Sequence, residues 1–168
     1  MSLSVNTRKV QGVVVMDMSG KLTAGEAVLL VRGIKAQITD RKGKAEAAKA
    51  APVVKALEDL DLALSSIESE IYQVKLQSSQ DPLNFPIKLN NKIAALQGVV
   101  ESADAKPTEQ AYSVFRTLTG SLDEQLSKLD AAVKSRLPAV NQQLQRQKLD
   151  AIKPEPLKPE TATGTSPG

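Results

Sequence analysis

The strongest constraint on the fold is a run of apolar residues spaced alternately four and three positions apart in the middle of the chain. This spacing places every member on one side of an α-helix, so it predicts a helix with one continuous apolar seam. Packing in an antiparallel bundle is favoured over a long free coiled coil. The reason is that residues 78–82 end the helix and favour a reversal of the chain direction, so that the next helix packs back against it. The seam consists of Val53, Leu57, Leu60, Leu64, Ile67, Ile71 and Val74, with Pro52 in the first turn.

Two further apolar stripes predict the partners of this helix. A second helix is expected from Phe85 or Pro86 to Ser102, with the stripe Leu89, Ile93, Leu96, Val100 and Ala103. A third helix carries Ala111, Phe115, Leu118, Leu122, Leu126, Leu129 and Val133. Gly120 within it permits either a close helix approach or a kink. Pro138 is expected to interrupt this helix, so that a short fourth helix covers about 139–149 and carries Val140 and Leu144.

The first part of the chain follows a different pattern. Residues 2–10 and 13–18 alternate or are β-branched and flank Gln11 and Gly12, which predicts a β-hairpin. A helix is expected next, with Thr23 as N-cap and Glu26 completing a capping box. Its stripe is Ala27, Leu30, Val31, Ile34 and Ile38, weakened by Gly33 and fading at 40–44. Residues 45–51 then form an alanine-rich connector.

The composition excludes several kinds of chemistry. The chain has no histidine and no cysteine, which removes Ser-His-Asp and Cys-His catalysis, disulfides and metal sites built on those ligands. Aromatic residues make up 2%, so the core must consist of aliphatic side chains, as in helix-on-helix packing. We therefore predict that the protein is not an enzyme, with no catalytic, cofactor-binding or metal-binding residues.

Three groups of residues could still have a chemical or binding role. Acidic residues on the predicted helices could act as acid and base, but such residues usually form solvated helix faces. The four aromatic residues could line a ligand pocket, although filling the core is the favoured interpretation. Three asparagines are interpreted as cap and turn residues. The residues concerned are Glu58, Asp61, Glu68, Asp123, Glu124 and Asp130; Tyr72, Phe85, Tyr112 and Phe115; and Asn84, Asn90 and Asn91.

The charge pattern gives no indication of nucleic-acid or membrane binding. The net charge is +3, and basic residues alternate with acidic ones along the predicted helices. The densest basic run, residues 41–44, is too short for a nucleic-acid site, and stacking aromatics are almost lacking. No segment approaches the ~20 apolar residues needed to span a bilayer, and no signal peptide is recognised. The expected location is the cytoplasm.

Two segments resemble known families. Residues 4–8 and 13–23, reading SVNTR and VVVMDMSGKLT, resemble the opening of a STAS domain, the anti-sigma-factor antagonist family. That resemblance covers about residues 1–31 and implies two strands leading through a Gly and a Thr into the first helix. It stops before the third strand and the family's Asp-Ser-Ser-Gly-like phosphoacceptor, so no functional residue is carried over.

The helical part resembles the C-terminal helical region of large bacterial BNR-repeat proteins. The motifs are residues 81–92 (DPLNFPIKLNNK), 101–108 (ESADAKPT) and 137–141 (LPAVN), and the resemblance spans about residues 32–152. Those proteins are sortilin-like β-propellers, often labelled glycosyl hydrolases and often exported. Their propeller blades are not present in this sequence, so the resemblance implies no hydrolase activity here.

Together these observations predict a mainly α protein in three parts. Residues 1–44 form a truncated STAS-like hairpin and helix, residues 45–152 a three-helix bundle with a short fourth helix, and residues 153–168 a disordered proline-rich tail. The predicted function is a non-enzymatic accessory module that binds a protein partner or self-associates through helical faces. The alternative is a STAS-type regulatory protein that binds an anti-sigma factor.

Overall fold

The protein is mainly α-helical, as the sequence predicts. A computed structural model describes the backbone of residues 4–10 and 13–19 and the complete structure of residues 23–75, 84–102 and 106–157. Strands β1 (Ser4–Val10) and β2 (Val13–Ser19) pair antiparallel, with Ser4 opposite Ser19 and Val10 opposite Val13. The helices are α1 (Ala24–Ala47), α2 (Ala51–Ile71), α3 (Leu89–Glu101), α4 (Glu109–Ala131) and α5 (Leu137–Arg146).

Helix α1 begins at the predicted capping box. The Glu26 amide donates to Thr23 Oγ1 at 3.2 Å, and the Thr23 amide donates to Glu26 Oε2 at 2.7 Å. These two bonds satisfy amides that a helix leaves free at its start. The helix does not fade at residues 40–44 but continues to Ala47, so the predicted boundary between residues 44 and 45 lies inside α1.

Helix α2 is central, since it contacts each of the other four helices. The predicted seam is buried from Val53 to Ile71, and Leu57, Leu64 and Ile71 are at most 1% exposed. Val74 was wrongly included in this seam. The helix ends at Ile71 because Tyr72 adopts an extended backbone, and Val74 is 49% exposed.

Helix α3 contributes less burial than predicted. It begins at Leu89 rather than at Phe85 or Pro86, because Lys88 is extended and forms the N-cap. None of its residues is buried; its stripe Leu89, Ile93, Leu96 and Val100 is half-buried, and Ala103 lies outside the described residues. The helix packs mainly along α4.

Pro138 does not break the third helix. A π-helical turn at Ala132–Arg136 joins α4 to α5, and the Leu137 amide donates to the Ala132 carbonyl five residues back. The wider turn absorbs one extra residue where proline could not have donated a helical hydrogen bond. The buried stripe therefore steps from Ala132 to Leu137, and Val133, predicted in the core, is only half-buried. Gly120 is exposed, and no atom of the described residues lies within 4 Å of its Cβ position, so none of the five helices approaches it closely.

One connected core runs from Ala24 to Ile152 and includes side chains of α1, α2, α4 and α5. Helices α1 and α5 both end in a Schellman motif with a lysine, Lys49 or Lys148, at the position of positive φ. Residues 153–157, predicted as the start of a disordered tail, differ from that prediction, because they lie against α1 as described below. Residues 158–168 are outside the described part of the chain.

Candidate interaction surface

A row of four residues on α1 holds the C-terminal end of the described chain. Leu29, Gly33, Gln37 and Arg41 are spaced four residues apart, which places them along one side of the helix. We call them the α1 row. Each contacts residues 150–157, which we call the strap, and the strap runs antiparallel to α1.

Two amide side chains fix the strap where it meets the helices. Asn141 on α5 donates from Nδ2 to the Ile152 carbonyl at 2.9 Å and accepts from the Ile152 amide at 2.8 Å. Gln37 does the same for the next residue, with 2.8 Å to the Lys153 carbonyl and 2.9 Å from the Lys153 amide. Successive residues of an extended chain direct their backbone groups to opposite sides, which suits two helices holding them from either side.

Beyond Lys153 the strap crosses α1 at Gly33. This glycine is buried, and a Cβ atom added to it would lie 2.0 Å from the Glu155 carbonyl oxygen and 2.8 Å from the Leu157 nitrogen. A glycine is therefore required for the backbone of the strap to come this close. The Leu157 amide then donates to the Leu29 carbonyl at 2.9 Å.

The strap is recognised through its backbone more than through its side chains. Ile152 is 1% exposed and belongs to the core, but all five side chains from Lys153 to Leu157 are exposed. Pro154 and Pro156 restrict φ to values that favour an extended chain, which lowers the entropy lost on docking. Arg41 adds a hydrogen bond of 2.9 Å from Nε to the Asp150 carbonyl.

A separate ionic cluster joins α1 to α2. Glu68 is 4% exposed; its Oε1 accepts from Arg32 Nε at 2.7 Å and its Oε2 from Lys35 Nζ at 2.9 Å. Burial alone raises the pKa of Glu68, but the hydrogen bonds and charges of Arg32 and Lys35 outweigh it and lower the pKa. The Arg32 guanidinium also lies 5.0 Å from the centre of the Tyr72 ring. This arrangement satisfies a buried charge and does not leave a free acid or base.

The other acidic residues weighed above are mostly in ion pairs. Hydrogen bonds from Lys42 and Lys128 lower the pKa of Glu58 and Glu124 respectively, whereas a general acid at neutral pH needs a raised value. Asp123 Oδ1 is buried without a hydrogen-bond partner in the described residues. The described residues contain no group of acidic side chains that could hold a metal ion. The closest contacts are Glu58–Lys42 at 2.7 Å, Glu124–Lys128 at 2.7 Å and Asp130–Lys134 at 2.9 Å.

The aromatic and asparagine residues take other positions. Tyr72 faces Arg32, and Phe85 has Lys75 Nζ 5.4 Å from its ring centre. Phe115 is buried but lies outside the connected core, and Tyr112 is half-buried. Asn84 lies in a turn, while Asn90 and Asn91 lie in the first turn of α3 rather than at its cap.

Sequence reasoning did not identify the α1 row. Gly33 was interpreted as a weak point of the helix, and the strap was divided between the bundle and a disordered tail. The available signal was the four-residue spacing of Gly33, Gln37 and Arg41 on a line outside the apolar stripe, together with the Pro-Glu-Pro sequence at residues 154–156.

Comparison of the chain with protein-family models, with curated proteins and with solved structures found no match. No helix in the described part of the chain is both long enough and apolar enough to cross a membrane.

Proposed function

We propose that the protein is a non-enzymatic helical module that associates with a second copy of itself through the outer face of α3 and α4. The observation that carries this proposal is that α3 is poorly buried. Thirteen residues form this helix and none is buried, while an isolated helix of about that length is marginal in water.

The adjoining half of α4 is also poorly buried, since Phe115 is the one buried residue between 109 and 121. The connected core takes side chains from α4 only from Leu122 onward, so residues 109–121 and α3 pack as a pair beside the main core. Val99 is 65% exposed and Val114 is 47% exposed, near the end where the two helices are joined. Ala94, Ala95 and Gly98 are also exposed, which allows a second helix to approach closely.

Association would cover this surface. A standard interface takes about 800 Å² from each partner, which exceeds what two valines supply, so the small residues of α3 take part as well. This role agrees with the resemblance of residues 32–152 to the helical C-terminal region of BNR-repeat propeller proteins. In this proposal α1 is part of the bundle, because it shares one connected core with α2, α4 and α5. The STAS-type alternative stays a prediction.

The test is light scattering on the full chain over a range of concentrations. We expect a dimer for the natural sequence and a monomer for Val99→Asp combined with Val114→Asp. Leu62→Asp is the matched control, because Leu62 is 72% exposed on α2, and this variant should remain dimeric. A natural chain that is monomeric at its highest soluble concentration would refute the proposal, as would equal effects of the α2 and α3–α4 substitutions.

A further inference from the structure

The contacts of the strap indicate a peptide-binding site as well as a structural contact. We propose that the α1 row binds an extended, proline-containing segment, and that it takes the strap of a second copy of this chain when its own strap is released. This inference depends on the α1 row and not on the α3–α4 face, although both describe association.

The site has the components of a backbone-reading peptide groove. Gln37 supplies one donor and one acceptor to the same peptide residue, the Leu29 carbonyl accepts from a residue four positions further on, and Gly33 provides the notch between them. The three components are fixed on a single rigid helix. A ligand that fits must be extended, must offer backbone amides at these two positions, and gains from prolines between them.

The occupant we assign is the same segment of another copy. Its sequence already satisfies all of these contacts within one chain, and the exposed side chains of Lys153 to Leu157 place no further demand on the groove. Exchange of an identical element between protomers needs no new interface chemistry. Within one chain the tethered strap is present at an effective concentration on the order of millimolar, so it competes strongly with any segment from outside.

The strap can be released without altering the groove. Lys153→Pro and Leu157→Pro remove the two backbone amides of the strap that donate hydrogen bonds to α1. They leave the groove residues Leu29, Gly33 and Gln37 unchanged. Conversely, Gly33→Ala fills the notch and leaves the strap sequence intact, since the added Cβ would lie within 2.0 Å of the strap backbone. These full-length variants separate the two halves of the contact.

The first measurement is fluorescence anisotropy with a labelled, N-acetylated peptide of residues 153–160, because the protein's own Ile152 stays in the core. We expect the K153P/L157P variant to bind it at least tenfold more tightly than the natural chain, whose groove is filled. Adding Gly33→Ala to that variant should abolish binding. Absence of binding to the released variant, or equal binding after Gly33→Ala, would overturn the proposal. If the double variant does not fold, Leu157→Pro alone serves as the released form.

The second measurement identifies the source of the segment. Both chains carry V99D/V114D, so that association through the α3–α4 face does not contribute to the molar mass. Equimolar G33A, with a free strap and a blocked groove, is mixed with K153P/L157P, which has the opposite defects, and the molar mass is followed by light scattering. We expect a complex of one chain of each kind that the peptide dissociates. Peptide binding with no such complex would overturn the assignment to a second copy. Because V99D/V114D tests the α3–α4 face separately, failure of that interface leaves this result interpretable.

Discussion

Replacing Gly33 by alanine sets two opposing free-energy changes against each other. In a helix interior alanine is more favourable than glycine by about 0.5–1 kcal/mol. Gly43 lies in the same helix and has nothing within 4 Å of its Cβ position, so Gly43→Ala should raise the free energy of unfolding by the full amount. At Gly33 the new Cβ would lie 2.0 Å from a backbone oxygen that cannot rotate away.

The strap must therefore leave α1 in the Gly33→Ala variant. Three of the four hydrogen bonds between α1 and the strap are then lost, two at Gln37 and one at Leu29. The fourth, from Arg41 to the Asp150 carbonyl, precedes the buried Ile152 and is kept. At about 0.5–1 kcal/mol each for partly exposed groups, their loss costs about 2 kcal/mol. After the gain in helix propensity, Gly33→Ala should lower the free energy of unfolding by about 1 kcal/mol. The two alanine variants should then differ by about 2 kcal/mol.

Urea unfolding measures this difference as a shift in the urea concentration at the midpoint of unfolding, with the m-value unchanged. Hydrogen exchange at the Lys153 and Leu157 amides reports the strap directly, and we expect both amides to lose protection in Gly33→Ala and to keep it in Gly43→Ala. In the background of K153P/L157P, where the strap is already released, Gly33→Ala should become stabilising by the same 0.5–1 kcal/mol as Gly43→Ala. Equal stabilisation by the two alanines in the natural background, with protected strap amides, would refute the reasoning.

Three further expectations follow from the core and the caps. Lys49→Gly and Lys148→Gly should each stabilise the fold by about 1 kcal/mol in urea unfolding, because both lysines have positive φ (54° and 57°) that glycine adopts without strain; a decrease would contradict this. Glu68→Gln should destabilise by about 1–3 kcal/mol at neutral pH. Because the folded-state pKa of Glu68 is lowered, its stabilisation is present above 4.5 and is lost as pH falls below it, so the variant and natural stabilities should converge in acid. Leu64→Ala should cost about 2–5 kcal/mol, with the 72% exposed Leu62→Ala within about 0.5 kcal/mol of no change; equal effects would contradict the core assignment.

The sequence predicted the parts of the fold that depend on local rules. The 4-3 spacing identified the buried face of α2 from Val53 to Ile71, and the Thr23–Glu26 pair identified the start of α1. These succeed because side chains three and four residues apart share a helix face whatever the rest of the chain does. The errors occur where a longer-range or backbone effect decides, as at Val133, where a π-helical turn shifts the buried stripe by one residue.

The α1 row lay beyond sequence reasoning for a related reason. Its elements are a glycine, a glutamine amide, an arginine guanidinium and one main-chain carbonyl, and their partner is more than a hundred residues away in sequence. Local rules count such a glycine as a cost to the helix. Only the tertiary contact shows that the cost is offset, because the absence of one methyl group lets a distant backbone reach the helix.

The strap contains one buried residue, Ile152, followed by five residues with exposed side chains. Ile152 is buried and is held by Asn141 on α5, whereas the five residues after it are held to α1 through backbone bonds and have exposed side chains. Opening from the C-terminal end therefore uncovers Gly33 and Gln37 without exposing the core, and stability is expected to fall in two separable steps. An anchored residue followed by a weakly held extension gives the chain a segment that can leave its own groove at low cost. That property is what exchange between copies requires, and a chain whose strap amides exchanged only by global unfolding would lack it.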